Sequence, residues 1–294
     1  MSKSVWVFPG QGSQAIGMGM DLCDRPGVQA KFDQAAEILG WSPIAIIQGD
    51  EAKLSQTRYT QPCMYIVESL LADQLKAQGN QPDFVAGHSL GEYAALYTAG
   101  VFDFETGLRL IQKRAELMDS ATDGMMAALL GGDRAELDAV LAATPDAVLA
   151  NDNNAGQVVI SGTPEAVQAV MAQVKCKKAV PLKVSGAFHS PLMAEAAAAF
   201  EAVLAAVRFQ TAQVPVLSNV DPTPSQDAAV LHQRLAAQMT GGVRWRELSL
   251  NLPECGVTQV LEVGPGKVLI GIMKRTVELT YATCGNVDDL AAIG

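Results

Sequence analysis

A serine stands between two glycines in the segment Val85–Tyr93, which reads VAGHSLGEY. The G-x-S-x-G pattern, set between a strand-like and a helix-like segment, is typical of a nucleophile elbow. Its glycines allow a tight turn, so that the hydroxyl of Ser89 protrudes and the next helix offers backbone N–H groups. A Gly/Ser turn without chemistry is the alternative. If Ser89 is a nucleophile, its acyl group goes either to water or to a second carrier.

The chain offers few candidates for the base that such a serine needs, because it contains only three histidines. His88 adjoins Ser89, and neighbouring side chains of a strand point to opposite faces. His232 lies in a polar helical pattern and is interpreted as a surface or boundary residue. His189, in GAFHSPLM, lies between a strand and a helix start, in a loop expected at the seam of two domains. By elimination, His189 is the predicted base.

A second glycine-rich turn, FPGQGSQ at Phe8–Gln14, follows the first strand-like segment. It contains neither G-x-G-x-x-G nor Gly-Lys-Ser/Thr, so dinucleotide-binding and P-loop interpretations do not fit. At the sheet end that carries the elbow, this turn would supply a backbone N–H to an oxyanion, together with that of Leu90. A hydrolase has the chain order Ser, acid, His, with the histidine late in the chain. Here a long α/β segment still follows His189.

The elements that must position these residues alternate between strands and helices, which is typical of an α/β layered domain. A β-α-β-β-α-β order in the middle of the chain predicts a ferredoxin-like domain inserted at 124–186. For the rest, the patterns predict strands at Ser4–Gly10, Asp83–Ser89, Val214–Val220 and Thr258–Gly264, helices at Thr60–Gln78, Phe104–Ser120, Ala194–Val207 and Asp227–Met239, and a last helix after Gly266.

The composition limits the classes of function. The chain has 294 residues, of which 49% are hydrophobic, enough for a large core and a smaller satellite domain. A net charge of −10 argues against general nucleic-acid binding, which needs a basic face. Five cysteines without a CxxC pair favour reduced thiols in the cytoplasm over disulfides or a zinc site. No signal peptide or membrane span is expected.

Six motifs occur together and in order: FPGQGSQ, GHSLGEY, an arginine in QKRAELM, GQVVISG, GAFHSPLM and EVGPGKVL. Over essentially the whole chain they resemble malonyl-CoA:acyl carrier protein transacylases of type II fatty-acid synthesis, and the acyltransferase domains of polyketide synthases. The fold class that the resemblance implies is α/β. It comprises a hydrolase-like large domain with a mostly parallel sheet (1–123 and 187–294) and an inserted ferredoxin-like α+β subdomain (124–186).

The resemblance also implies roles for the catalytic groups. Ser89 would be the acylated nucleophile and His189 its base. The histidine would be oriented by a backbone carbonyl at Gln238 instead of a triad acid. The backbone N–H groups of Gln11 and Leu90 would form the oxyanion hole.

Three further side chains would bind the substrate, by the same resemblance. Arg114 would pair with the free carboxylate of a malonyl group, which a planar guanidinium recognises in a bidentate manner. Gln61 would line the site. A phenylalanine at the position of Phe188 goes with malonyl in polyketide domains, where a serine goes with methylmalonyl. A solvated helix arginine and a core phenylalanine are the competing interpretations.

The implied reaction transfers malonyl from malonyl-CoA to the phosphopantetheine thiol of an acyl carrier protein, with no metal or redox cofactor. A discrete acyltransferase of a polyketide or malonate decarboxylase system is the alternative within the family, and a serine esterase the alternative outside it. The expected protein is a cytoplasmic monomer without nucleic-acid or membrane partners. Basic side chains available to the anionic CoA and carrier are Lys175, Lys177, Lys178, Lys183, Lys274 and Arg275.

Overall fold

The structure, a computed structural model, describes residues 2–121, 123–184 and 186–293. The strands in this part of the chain are Lys3–Phe8 (β1), Phe84–Gly87 (β2), Met125–Leu130 (β3), Ala147–Asn154 (β4), Gln157–Gly162 (β5), Lys178–Pro181 (β6), Val216–Leu217 (β7), Val257–Val263 (β8) and Thr280–Cys284 (β9). The α-helices are Val28–Leu39 (α1), Pro43–Ile47 (α2), Glu51–Leu54 (α3), Thr57–Ala77 (α4), Gly91–Thr98 (α5), Phe104–Ser120 (α6), Arg134–Ala143 (α7), Pro164–Gln173 (α8), Ala194–Leu204 (α9), Ala228–Ala237 (α10), Trp245–Glu254 (α11), Val268–Met273 (α12) and Val287–Ile293 (α13).

The larger sheet is parallel, and its strand order is β7-β2-β1-β8-β9. The central strand β1 is buried on both faces, as its continuous apolar sequence predicts for a parallel sheet. Trp6 and Phe8 belong to the core that α4 and α6 cover, whereas Val5 and Val7 pack in a second core with Trp245. Phe8 pairs with Gly87 at the carboxyl ends of β1 and β2. The turn after β1 and the elbow after β2 therefore lie side by side.

The smaller sheet is antiparallel, with the order β4-β5-β3-β6. Its core is apolar and includes Leu129, Ile160 and Val167, with α7 and α8 packed against the strands. The β-α-β-β-α-β order was predicted, and the α/β fold class with a parallel sheet and an additional antiparallel sheet is confirmed. The domain limits 1–123 with 187–294, and 124–186, stay a prediction; these ranges include positions 1, 122, 185 and 294, which lie outside the described residues.

The segment before α11 forms a short parallel bridge with the smaller sheet. Asn151 of β4 pairs with Val243, and the Val243 N–H donates to the carbonyl of Ala150 at 2.7 Å. The N–H of Asp152 donates back to the carbonyl of Val243 at 2.9 Å. The segment before α11 is thus attached to the smaller sheet.

The structure differs from the sequence prediction in three places after residue 200. The helix after Gly266 is not the last element, because β9 and α13 follow it, and α11 was not predicted at all. Strand β9 lies at the edge of the sheet and buries only one residue fully, so its sequence lacks the apolar run of a central strand. The predicted strand Val214–Val220 is reduced to two residues, since Asn219 leaves the sheet and bonds the elbow.

No helix in the described part of the chain is long and apolar enough to cross a membrane.

Candidate active site

Ser89 lies in the tight turn between β2 and α5, and its backbone is in the left-handed region with φ 52°. For a residue with a Cβ this conformation costs about 1–2 kcal/mol, so the surroundings must hold it. The flanking glycines permit the turn. A Cβ on Gly87 would lie 2.0 Å from the carbonyl oxygen of Gly91, and one on Gly91 would lie 2.2 Å from the carbonyl oxygen of Phe8. The elbow predicted from G-x-S-x-G is therefore present.

The hydroxyl of Ser89 contacts His189, with 2.8 Å between Oγ and Nε2. The other ring nitrogen, Nδ1, lies 3.0 Å from the carbonyl oxygen of Gln238 and 3.1 Å from that of Gly241. Because carbonyl oxygens only accept hydrogen bonds, Nδ1 carries the proton and Nε2 is free to accept one from Ser89. Two backbone carbonyls thus stand where a hydrolase places a triad acid.

His189 is buried, with 4% of its surface exposed, and its backbone also has a positive φ, 58°. Burial lowers the pKa of this imidazole to about 3, and the nearby positive charge of Arg114 acts in the same direction. A histidine with this pKa is neutral at physiological pH, which is the protonation state that a general base requires.

Arg114 projects from α6 into the same site and is 1% exposed. Its guanidinium donates to Gln61 Oε1 at 2.7 Å, to Ser89 Oγ at 3.0 Å and to Gln238 Oε1 at 3.1 Å. The guanidinium carbon lies 5.5 Å from the ring centre of Tyr93. Burial lowers the pKa of Arg114, but an arginine side chain stays protonated. Among the described residues, no carboxylate forms an ion pair with it.

A cavity of about 90 Å³ contains these groups and is bordered by both predicted oxyanion residues, Gln11 and Leu90. Within the described residues, neither backbone N–H donates to a protein acceptor. The side chain of Gln11 is held away, because its amide donates to Thr57 Oγ1 at 3.1 Å. Leu90 directly precedes α5, whose N-terminal end carries a partial positive charge. Both N–H groups are available to an anionic oxygen in this cavity.

Part of the cavity lining is apolar. Phe188 is 5% exposed and borders the cavity together with Met118 and Met126. The amide of Gln61 donates to the sulfur of Met118 at 3.4 Å and so links the apolar wall to the guanidinium. Phe188 is both a core residue and a cavity residue.

The remaining histidines are not bases for Ser89. His88 borders the cavity, but its Nε2 bonds Asn153 Oδ1 at 2.9 Å and its ring packs on Trp245. His232 is half-buried and bonds the carbonyl of Leu204 at 3.1 Å. These contacts agree with the exclusion of His88 as the base and with the interpretation of His232 as a boundary residue.

Three polar groups of the site were not predicted from the sequence. Gly241 supplies the second carbonyl to His189. Asn219 bonds the backbone of Ser89, and Glu92 bonds the side chain of Gln238. The position of Glu92 within GHSLGEY was a visible signal, whereas Asn219 and Gly241 lie in loops that no motif marks.

The six predicted basic residues are all exposed and lie outside the cavity lining. The described residues contain no group of three or more His, Cys, Asp or Glu side chains that could hold a metal ion.

Residues 5–291 match the family model of the acyl transferase domain. A malonyl CoA-acyl carrier protein transacylase of Synechocystis sp. is 56% identical over 292 residues, which is 99% of this chain and 100% of the relative. The crystal structure of a Synechocystis malonyl-CoA:ACP transacylase superposes with a TM-score of 0.97 at 56% identity, over 99% of both chains.

A second solved structure holds a malonyl-transacylase in complex with its type II PKS acyl-carrier protein. It gives a TM-score of 0.93 at 37% identity and covers 99% of this chain and 98% of that one. Because the family model matches residues 5–291, nearly the whole chain, this chain belongs to the acyl transferase domain family.

Proposed function

We propose that this protein transfers the malonyl group from malonyl-CoA to the phosphopantetheine thiol of an acyl carrier protein, in fatty-acid synthesis. The observation that carries the proposal is Arg114. Its buried guanidinium lies 3.0 Å from the nucleophilic oxygen of Ser89 and has no carboxylate partner in the described part of the chain. A buried cation without a direct counter-ion is costly, and the free carboxylate of a malonyl thioester would supply one. The relatives named above support the same substrate.

In the first half-reaction, Ser89 attacks the thioester carbonyl while its proton passes to Nε2 of His189. The N–H groups of Gln11 and Leu90 stabilise the oxyanion that forms. The C–S bond then breaks, and the CoA sulfur leaves with the proton from His189. The ion pair between malonyl and Arg114 orients the carbonyl over Ser89, so that attack takes place within a positioned complex. Gln61 fixes the guanidinium from the other side.

In the second half-reaction, the carrier's thiol attacks the malonyl-serine ester. His189 takes the thiol proton and returns it to the oxygen of Ser89, so that one base serves both halves of a ping-pong scheme. The carbonyls of Gln238 and Gly241 keep the imidazole in the required tautomer throughout. This scheme needs no metal or redox cofactor, and CoA and phosphopantetheine enter only as carriers of the acyl group.

The contacts with the anionic partners are proposed from charge. CoA and carrier proteins are anionic, and the chain has a net charge of −10. We therefore assign their contacts to the exposed basic residues Lys183, Lys274 and Arg275, together with Lys175, Lys177 and Lys178 of the smaller sheet. We further propose a cytoplasmic monomer that uses neither nucleic acid nor a membrane. The five free cysteines agree with a reducing compartment.

The test is to trap the intermediate. The protein is mixed with malonyl-CoA, quenched in acid and analysed by peptide mass spectrometry. One malonyl group is expected on the peptide that contains Ser89, in the wild type and in the control Ser120→Ala, but not in Ser89→Ala. Addition of holo acyl carrier protein is expected to move the group to the carrier thiol. If free malonate is released at the same rate with and without the carrier protein, and no malonyl carrier forms, the protein is an esterase and the proposal is refuted.

A further inference from the structure

Two buried polar residues, Asn219 and Glu92, form hydrogen bonds with Ser89 and Gln238 of the site. They take no part in the reaction described above. Their exposures are 0% and 1%. Neither borders the cavity that holds Ser89 and His189. Both are connected to the nucleophile by hydrogen bonds.

The side chain of Asn219 bridges the two ends of the elbow. Its Oδ1 accepts the N–H of Ser89 at 2.7 Å, and its Nδ2 donates to the carbonyl of Gly87 at 2.6 Å. These contacts use the donor and the acceptor of one planar amide, so the amide has a single orientation. They fix the carbonyl of Gly87 and the N–H of Ser89, which are the backbone groups on either side of His88. This constrains the turn in which Ser89 has its positive φ. Without this bridge, nothing among the described residues accepts the Ser89 N–H.

Glu92 supports the same elbow through a second route. One of its oxygens, Oε2, accepts the backbone N–H of Asn219 at 3.2 Å and the side-chain Nε2 of Gln238 at 2.7 Å. The same Nε2 of Gln238 also donates to the carbonyl of Ser89 at 2.9 Å. Glu92 thus bonds both Asn219, which accepts from the N–H of Ser89, and Gln238, which donates to the carbonyl of Ser89.

Gln238 carries this constraint to the other catalytic groups. Its backbone carbonyl faces Nδ1 of His189, and its side-chain Oε1 accepts from Arg114. A displacement of the Gln238 amide would therefore change the orientation of the base and of the guanidinium together. In both cases Glu92 acts as an acceptor, for which an amide oxygen is as suitable as a carboxylate oxygen.

We propose that Asn219 and Glu92 are positioning residues for the acyl transfer, which hold Ser89 in its left-handed conformation and align Gln238 behind the base. This inference rests on the proposed function for the identity of the acyl group, but the positioning of Ser89 does not depend on it. Loss of Asn219 leaves the substrate pocket intact and lets the nucleophile move. A displacement of about 1 Å at a reacting group lowers a rate on the order of 100-fold.

The first test measures Ser89 by two independent reactions, acylation by malonyl-CoA and labelling by a fluorophosphonate. In the labelling, the Ser89 oxygen bonds to phosphorus, fluoride leaves and the hydroxyl proton passes to His189. In Asn219→Ala, both rate constants per folded molecule should fall on the order of 100-fold, with a nearly unchanged Kd for malonyl-CoA. The matched control is Asn154→Ala, since Asn154 is equally buried and also bonds only backbone, at Ile272 and Gly156. Its rates should stay within about threefold of wild type.

The second test separates acceptor geometry from charge at Glu92. Glu92→Gln keeps an acceptor oxygen and should retain rates within about tenfold of wild type, whereas Glu92→Ala should lose on the order of 100-fold. If Asn219→Ala does not fold, Asn219→Asp replaces it: the variant keeps the acceptor for Ser89 and loses the donor to Gly87, and its rates should fall at least tenfold.

Three results would overturn the proposal. One is that folded Asn219→Ala, or Asn219→Asp in its place, labels Ser89 as fast as Asn154→Ala. Another is that Glu92→Gln is as slow as Glu92→Ala. The third is that the variants lower only the melting temperature and the folded fraction, with normal rates for the molecules that fold. A wild type that reacts with the fluorophosphonate but not with malonyl-CoA would refute the proposed function alone, and the labelling rates would still decide the positioning roles.

Discussion

Arg114→Met removes the guanidinium and leaves a shorter, unbranched apolar side chain in a fully buried position. We expect this variant to lose malonyl transfer selectively. The substrate's carboxylate would enter a buried pocket without its cation, whereas an acetyl group has no charge to compensate. Acetyl-CoA is therefore the comparison substrate, and the ratio of the two kcat/KM values is the quantity of interest.

The size of the effect follows from the environment of Arg114. The three acceptors of its hydrogen bonds, on Gln61, Ser89 and Gln238, are neutral, so the bound carboxylate would be its direct counter-ion. Two unit charges about 4 Å apart at an effective dielectric constant of about 20 attract by about 4 kcal/mol. Since about 1.4 kcal/mol corresponds to a factor of ten, the ratio of kcat/KM for malonyl-CoA over acetyl-CoA should fall about 10²–10³-fold.

The ratio also removes an effect that both substrates share. Arg114 donates to the oxygen of Ser89, and losing that bond changes the nucleophile for malonyl-CoA and acetyl-CoA alike. The assay follows transfer of each radiolabelled acyl group to a holo acyl carrier protein. Arg109→Met is the matched control, because Arg109 lies on the same helix in an exposed ion pair with Glu105, and its ratio should not change. Equal losses for the two substrates in Arg114→Met would refute the pairing with a carboxylate.

Two further predictions concern the neighbours of Ser89. The pKa of His189 is lowered to about 3, so the base is already neutral at pH 5. We therefore expect kcat/KM for acylation to be flat from pH 5 to 8 and to decline only as the pH falls towards that pKa. An inflection near pH 6.5 would contradict this environment of His189. In Phe188→Ser, removal of the ring from the cavity wall should raise the ratio of kcat/KM for methylmalonyl-CoA over malonyl-CoA about tenfold and lower the melting temperature, as competition assays and thermal unfolding would show; an unchanged ratio would make Phe188 a core residue only.

Much of the fold could be predicted because its signals are local. The elbow joins a buried strand to a helix within a few residues, and its glycines are required by contacts inside the same turn and with β1. The second sheet was likewise predictable from the order of its strands and helices. Strand β9 was not, since an edge strand that buries one residue fully lacks an apolar run. Helix α11 was also missed, although Trp245, Leu248 and Leu252 follow a helical spacing on its buried face.

The unpredicted part of the site depends on contacts between distant segments. Asn219 and Ser89 are 130 positions apart, and Gln238 and Glu92 are 146 apart. Each of these polar residues is buried because a partner from another element satisfies it, and no periodicity in the sequence marks such a pairing. Motifs could indicate the nucleophile and the base, whereas the residues that align them become visible only once the sheet edges and loops are assembled.

The absence of an acid on His189 has an electrostatic reason in this pocket. A carboxylate on Nδ1 would add a negative charge to the pocket in which a malonyl carboxylate must bind, and like charges repel each other. The carbonyls of Gln238 and Gly241 hold the imidazole without a charge. In the described residues, the carboxylate bonded to this network is that of Glu92, and it contacts Gln238 instead of His189. Burial raises the pKa of Glu92. Orientation of His189 by neutral carbonyls therefore leaves the positive charge of Arg114 available to an acidic acyl group. An esterase for uncharged substrates would not need a neutral group at Nδ1.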